Sequence, residues 1–370
     1  MTDNANDPGV GQGESSAEDA SAPQVTESGT GPVKDHGVLY IGLDLGTSRT
    51  SVSSSNGVRE CIFSVVGYPK DHVAQKLLNR DVLVGKEAVE KRLSLDFYRP
   101  LQHGVLRNGD PKSSKAAADL IRAAIDLARP RKDELIYCVI GAPAQASINN
   151  KEAIIEAARE SVDSVMLCSE PFSVAYGLDM LEDVLVIDIG AGTVDLCRMH
   201  GTMPEDADQI TLQIAGDAVD LELTRLITET CPGAQFTVQM VKDIKERHSF
   251  LGDTMERVTV NLPVDGKPTQ FDLTDQIQAS CSIIVDPIVE GLHQLVSSFD
   301  PEFQDKLRSR VLLAGGGSQI RGLDTAIEHR MVQHLGGGKV IRVEEPIYGG
   351  SNGALKIAHD MPTKFWEDLR

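Results

Sequence analysis

From residue 38 onward, short apolar runs alternate with turn residues in a rhythm that predicts strands. Residues 38–43, 50–54 and 61–66 read as three strands of a meander, with a turn at Asn56-Gly57 as a hairpin signal. Residues 67–112 lose that rhythm. Pro69, Gly85, Pro100 and Gly104 punctuate them around a helical stretch near 86–95, and they read as a small inserted subdomain. Across 114–127, Ala117, Leu120, Ile121, Ala124 and Ile125 recur at helical spacing and define one core-facing stripe. An apolar run at 136–140, a helix at 150–161 and a strand at 165–168 follow, and strand-helix-strand order implies a right-handed parallel crossover.

The opening pattern then returns. A strand at 184–189, its return at 194–200 and a third at 209–215 repeat the meander. A helix at 219–230 begins a second insertion, which includes a helix at 242–250 and a hairpin at Asp265-Gly266. Residues 287–297 read as a helix with proline in its first turn, 310–314 as a strand, and 320–333 and 353–359 as helices. The last of these is expected to fold back on the first lobe, with Phe365 and Trp366 packed there too. The chain therefore reads as an α/β fold of two lobes made by duplication. Lobe I spans 37–182 and is completed by 346–370; lobe II spans 183–345; the inserted subdomains fall at about 67–112 and 219–284.

Composition narrows the function classes. A chain of 370 residues with 41% hydrophobic and 25% charged residues has the make-up of a soluble globular protein with more than one core. The net charge of −19 would repel nucleic acid and anionic lipid, so neither is an expected partner. No apolar run approaches the ~20 residues of a membrane span, and the N-terminus lacks a basic and an apolar region in series. A cytoplasmic location without direct membrane insertion is the expectation. Residues 1–36 carry seven acidic residues against one lysine amid Gly, Ser, Ala and Pro, and are expected to form a disordered acidic arm. Cys61, Cys138, Cys168, Cys197, Cys231 and Cys281 are scattered with no CxxC pair, which suits reduced thiols in apolar surroundings.

Three glycine-rich elements carry the candidate chemistry. The first holds Asp44, Gly46, Thr47 and Ser48; the second Asp188, Gly190, Gly192, Thr193 and Asp195; the third Gly315, Gly316, Gly317 and Ser318. A strand that ends in Asp-x-Gly and turns back leaves successive N–H groups facing a concavity, which cradles phosphate oxygens. The hydroxyls of Thr47, Ser48 and Thr193 add donors. Asp44 and Asp188 would approach one cation from opposite lobes, and carboxylates acting through water suit Mg²⁺. The triple glycine would admit the flat face of an adenosine, with the N-terminal dipole of the following helix nearby. Glu170-Pro171 opens a helix just after a strand. Its carboxylate either orients an attacking water or merely complements the helix dipole. ATP or ADP with Mg²⁺ is the expected ligand set.

These residues resemble the actin, heat-shock-chaperone and sugar-kinase superfamily: 44–48 its first phosphate loop, 188–195 its second, 314–317 its adenosine loop. Ser169-Glu170-Pro171-Phe172 leading to Tyr176-Gly177, and Gly216-Asp217 with Asp220, match the bacterial actin branch. Ile244-Lys245-Glu246-Arg247 is similar to the actin helix whose lysine and glutamate lie at the base and ribose. The resemblance thus implies nucleotide contacts at Gly216, Asp217, Lys245 and Glu246. A narrower resemblance, to the magnetosome actin-like filament proteins, rests on 65–71, 169–179, Phe250-Leu251-Gly252 and the GGGSQIRG stretch at 315–322. It implies ATP-driven polymerisation into cytoplasmic filaments that position magnetosomes in a chain. Other copies of the chain and magnetosome-associated adaptor proteins are the implied partners, and Glu170 and Asp188 the residues that serve hydrolysis. The acidic arm is longer than the family pattern. A chaperone would need a large peptide-binding domain after the triple glycine, and a kinase a sugar pocket, neither of which is legible. A non-polymerising ATP-dependent adaptor, or a small-molecule kinase of the same superfamily, is the alternative.

Overall fold

The computed structural model describes residues 37–106, 111–253 and 256–369, and His36–Arg370 form one compact unit. The arm at 1–36 lies outside the described residues.

Two five-stranded sheets of the same topology organise that unit. In the first, the central strand Val38–Leu45 pairs antiparallel with Arg49–Ser54, which pairs antiparallel with Arg59–Phe63; on its other side it runs parallel to Leu135–Ala142, and that strand parallel to Ser164–Ser169. In the second, Val184–Ile189 takes the central place. Val194–Met199 and Gln209–Leu212 lie antiparallel on one side, with Val311–Ala314 and Val340–Arg342 parallel on the other. The duplication read from the sequence is thus present strand for strand.

Alternation along the central strands sorts side chains into layers. Leu39, Ile41, Leu43 and Leu45 face an outer core shared with the helices Pro111–Leu127 and Ile148–Ala158. Leu185, Ile187 and Ile189 face a second outer core, under Gly216–Thr230, Val285–Ser297 and Leu323–Leu335. Between the sheets lies a third core. Tyr137 and Val139 from one sheet, and Val184, Val186, Leu312 and Ala314 from the other, enclose the helices Glu170–Gly177 and Gly349–Asp360. Strands covered on both faces explain why they read as continuous apolar runs.

The inner layer is tight enough to need glycine. A Cβ on Gly42 would come within 2.1 Å of the Ser351 carbonyl oxygen, and one on Gly353 within 1.7 Å of the Ser173 carbonyl oxygen. Backbone meets backbone at both points. The tail closes this layer: Trp366 is fully buried, stacks on Tyr137 with ring centroids 5.1 Å apart, and donates its Nε1 hydrogen to the Ala358 carbonyl at 3.2 Å.

Several local expectations change. The run at 61–66 divides, because Ser64 donates to the Gly46 carbonyl at 2.6 Å and bonds Thr50 at 2.9 Å, which turns the chain. Val66–Pro69 then pairs with Leu83–Val84 and Leu95–Tyr98 in a separate sheet of the insertion. The helical stretch near 86–95 shortens to Lys86–Glu90, since Leu95 and its neighbours are needed as that strand. The helix expected at 320–333 begins at Leu323, after a left-handed Gly322 (φ 76°), and a short 3₁₀ turn at Gly316–Gln319 stands directly against the triple glycine. The full helix terminus is therefore displaced from that loop. The helices His72–Leu78, Thr274–Ser282 and Pro301–Arg308 were not legible from periodicity. Among the described residues no helix is long and apolar enough to cross a membrane, and all six cysteines are free.

The close contact gives a stability test. Gly353→Ala should destabilise the fold by about 3 kcal/mol, because the methyl group meets a carbonyl held by two helices. The single tryptophan, Trp366, reports the transition by its fluorescence in urea. A midpoint equal to that of the unmodified chain would contradict this packing.

Candidate functional site

Both central strands end in Asp-x-Gly at their carboxyl ends, where ligands of open α/β sheets bind. The register places Asp44 opposite Ser51 and Gly141, and Asp188 opposite Asp195 and Ala314. The two aspartates are therefore equivalent points of the duplicated unit. Their loops face each other across one cavity of about 320 Å³.

Lobe I lines this cavity with Asp44, Gly46, Thr47 and Ser48, and with Glu170 at the first position of the inner helix Glu170–Gly177. The second sheet supplies Asp188, Gly190, Gly192 and Thr193, and the strand Val311–Ala314 delivers Gly315, Gly316 and Gly317. Gly216 at the start of Gly216–Thr230, and Lys245 and Glu246 on Val238–His248, line it as well. Two expected residues stand outside the lining. Asp217 approaches Arg99 at 3.5 Å, and its N–H donates to the Ala191 carbonyl at 2.7 Å. Ser318 is buried and donates to the Gly315 carbonyl at 2.7 Å, which closes the glycine turn.

The loops are shaped by contacts that leave no room for side chains. Gly190 donates its N–H to the Thr193 carbonyl at 2.9 Å, closing the second loop. A Cβ on Gly192 would lie 2.4 Å from the Thr47 hydroxyl, and one on Gly315 would lie 2.3 Å from a carboxylate oxygen of Asp188. Thr47 accepts from the Gly104 N–H at 2.8 Å, which leaves its own hydroxyl hydrogen free to donate. At the other end, Lys245 donates to the Gly216 carbonyl at 2.8 Å and stands 2.8 Å from an Asp220 carboxylate oxygen.

Sequence reasoning did not single out Arg49, Lys242 or Gly104 as lining residues. Lys242 bonds the Ser48 hydroxyl, and Arg49 pairs with Glu246 at 2.9 Å. One signal was available, since Lys242 lies one turn before Glu246 and so shares its helix face. Gly104 comes from the inserted segment, where no motif points to it.

Electrostatics at the floor are one-sided. Burial pushes the Asp44 carboxyl up to about 7, although that side chain remains partly open to the cleft. Glu170 is raised well above the usual carboxylate range, first by burial and then by Asp44, Asp195 and Asp188. Asp188 is raised in the same way, by burial, Asp44 and Asp195. Asp195 behind them accepts from the Ala144 N–H at 2.9 Å and from the Thr211 hydroxyl at 2.6 Å. The described residues hold no cluster of three metal-ligating side chains. A hydrated cation that takes only one or two carboxylates, with phosphate and water as its other ligands, fits such a floor; this is the preference of Mg²⁺.

The chain is similar to known proteins in sequence and in structure. The sequence model of the family described as MreB/Mbl protein matches residues 39–363. The actin-like protein MamK of Paramagnetospirillum magneticum is 39% identical over 341 residues, which cover 92% of this chain and 97% of that relative. A solved MamK double helical filament superposes with a TM-score of 0.85 at 40% identity, covering 88% of this chain and 99% of the other. A non-polymerising MamK variant bound to AMPPNP superposes with a TM-score of 0.68 at 40% identity, over 88% of this chain and all (100%) of the other. With the match running through both sheets and the cleft between them, the chain belongs to the MreB/Mbl family of actin-like proteins.

Proposed function

We propose that this chain is an ATP-hydrolysing actin-like protein that polymerises into cytoplasmic filaments, and that those filaments organise magnetosomes in a chain. One observation carries the reading: three glycine-rich loops from two sheets of equal topology converge on a single cavity floored by Asp44, Glu170 and Asp188. The similarity to a MamK filament supports the assembly part, and the AMPPNP-bound relative supports the nucleotide. The lobes in this reading are 37–182 with 346–370, and 183–345, with the insertions near 67–112 and 219–284. Other copies of the chain are the main partner, with magnetosome-associated adaptors beside them.

ATP or ADP is the nucleotide. Gly46 and Gly192 leave backbone donors bare for its phosphates, Gly190 lets the second loop turn close to them, and Thr47, Ser48 and Thr193 add hydroxyl donors. Gly315, Gly316 and Gly317 form a flat floor for the adenosine, with Gly216, Lys245 and Glu246 around it. Asp44 and Asp188 would hold Mg²⁺. When bound, that cation neutralises charge on the phosphates and on this acidic floor. Glu170 orients a water for in-line attack and accepts its proton, a task served by its raised proton affinity. Asp217 and Ser318 act at one remove, by fixing the Gly216 turn and the glycine turn. A closed cleft sets the relative orientation of the two lobes, so that head-to-tail contacts repeat as an open filament. Hydrolysis then weakens those contacts.

Phosphate release and filament lifetime test the assignments. Glu170→Gln should slow hydrolysis by roughly 10²–10⁴ while nucleotide binding and assembly remain, so its filaments persist. Hydrolysis at the unmodified rate would remove Glu170 from that role. Asp188→Asn should abolish the dependence of turnover on Mg²⁺; retained dependence would sink the metal assignment.

The acidic floor also has a pH signature. A carboxyl whose folded pKa is raised to about 7 from 3.8 is favoured in its protonated form, so nucleotide-free protein loses stability as pH rises through that window. Asp44→Asn should therefore be more stable than the unmodified chain at pH 7, with the difference closing toward pH 4. Its upper bound is about 1.4 kcal/mol per unit of displacement, less what solvent in the cleft screens. Mg²⁺-ATP should shrink the gap. Urea titrations at the two pH values decide it, and a gap independent of pH would contradict an unbalanced floor.

A further inference from the structure

Three cationic side chains line the cavity, and they differ in how they are matched. Arg49 pairs with Glu246 at 2.9 Å, and Lys245 with Asp220 at 2.8 Å. Lys242 makes no ion pair among the described residues. Its ammonium group rests instead on the Ser48 hydroxyl, in the first phosphate loop of the opposite lobe.

An ammonium group has three donors and one positive charge. A hydroxyl oxygen satisfies one donor and none of the charge. Leaving a cation partly buried and unneutralised is costly unless an anion joins it. Burial, then Arg99 and Lys245, push Lys242 below the usual lysine range, and the more distant carboxylates of Asp220 and Asp217 offset this only in part. The anion that fits a cation at a phosphate loop is a phosphate.

We propose that Lys242 is a phosphate-binding residue: it reaches from lobe II across the cleft and contacts the phosphate chain of a nucleoside di- or triphosphate while holding the first loop through Ser48. The inference rests on the nucleotide reading above and adds a residue to it. Lys242 and Glu246 stand one turn apart on the same helix and meet the consecutive residues Ser48 and Arg49. Phosphate at Lys242 therefore strengthens a junction that already joins the two lobes. The Arg49–Glu246 pair is exposed by more than a third on each side, so solvent screens it and it discriminates little. Lys242 adds a charged phosphate contact from lobe II to the loop donors, and so increases the dependence of closure on phosphate and the preference for nucleotides over nucleosides.

Calorimetric titration with ADP and with adenosine tests this on the whole protein, comparing the unmodified chain with Lys242→Met, Lys242→Arg and Ser48→Ala. Loss of one charge-assisted hydrogen bond to phosphate corresponds to roughly 10- to 100-fold. Lys242→Met should weaken ADP by that factor and leave adenosine unchanged, and Lys242→Arg should recover most of the ADP affinity. Ser48→Ala should lose less ADP affinity than Lys242→Met, because the ammonium group keeps its phosphate. Equal losses for ADP and adenosine would make Lys242 a structural tie only and overturn the proposal, as would undiminished ADP binding in Lys242→Met. An unmodified chain that binds no ADP would defeat the nucleotide reading itself, which is a different failure from the other two.

Discussion

Repulsion among Asp44, Glu170 and Asp188 sets the demands on the rest of the molecule. The three carboxyls share one cleft, each is raised by burial, and no lysine or arginine pairs with them among the described residues. A fold that holds such groups together must supply rigidity from elsewhere, because the groups themselves favour separation or protonation. It also gains a strong preference for a ligand that brings positive charge into the cleft. Structure and proposed chemistry meet in that preference.

Rigidity comes from the inner helical layer. Glu170–Gly177 and Gly349–Asp360 lie between the sheets at backbone contact, with Gly42 and Gly353 where a methyl group would strike a carbonyl. Glu170 begins one of these helices, and a Cβ on Gly350, at the start of the other, would lie 2.9 Å from an Asp44 carboxylate oxygen. Glu170 and Asp44 therefore stand against a tightly packed part of the fold. Polar contacts across the cleft are of another kind. Ala144 to Asp195, the two bonds exchanged by Gln145 and Thr211, His103 to the Gly192 carbonyl and Lys242 to Ser48 are isolated hydrogen bonds that domain motion can break and remake. Tight packing behind the cleft and separable bonds across it suit a molecule that opens and closes around a ligand.

How much of this was legible depends on whether the signal was local. The duplicated Asp-x-Gly loops were readable because the phosphate-cradling turn needs particular residues at fixed spacing, and the same turn occurs twice. Asp265-Gly266 was readable for a similar reason: both residues have positive φ, 47° and 75°, as a two-residue hairpin turn requires. The division of 61–66 was not, because it depends on Ser64 meeting Gly46 and Thr50, which only the folded sheet brings together. Lys242 was missed because its partner is Ser48 in the other lobe, although its helical spacing from Glu246 was in view. Asp217 and Ser318 carry the right chemistry for a nucleotide contact, yet an arginine and a backbone carbonyl claim their side chains.

Sedimentation of the purified chain with and without Mg²⁺-ATP, with negative-stain microscopy of the pellet, tests the central claim most directly. A nucleotide-closed actin-like protein that polymerises should pellet in ATP above a critical concentration, and the pellet should contain filaments. Hydrolysis of ATP with no pellet and no filaments, across salt and protein concentration, would contradict the account.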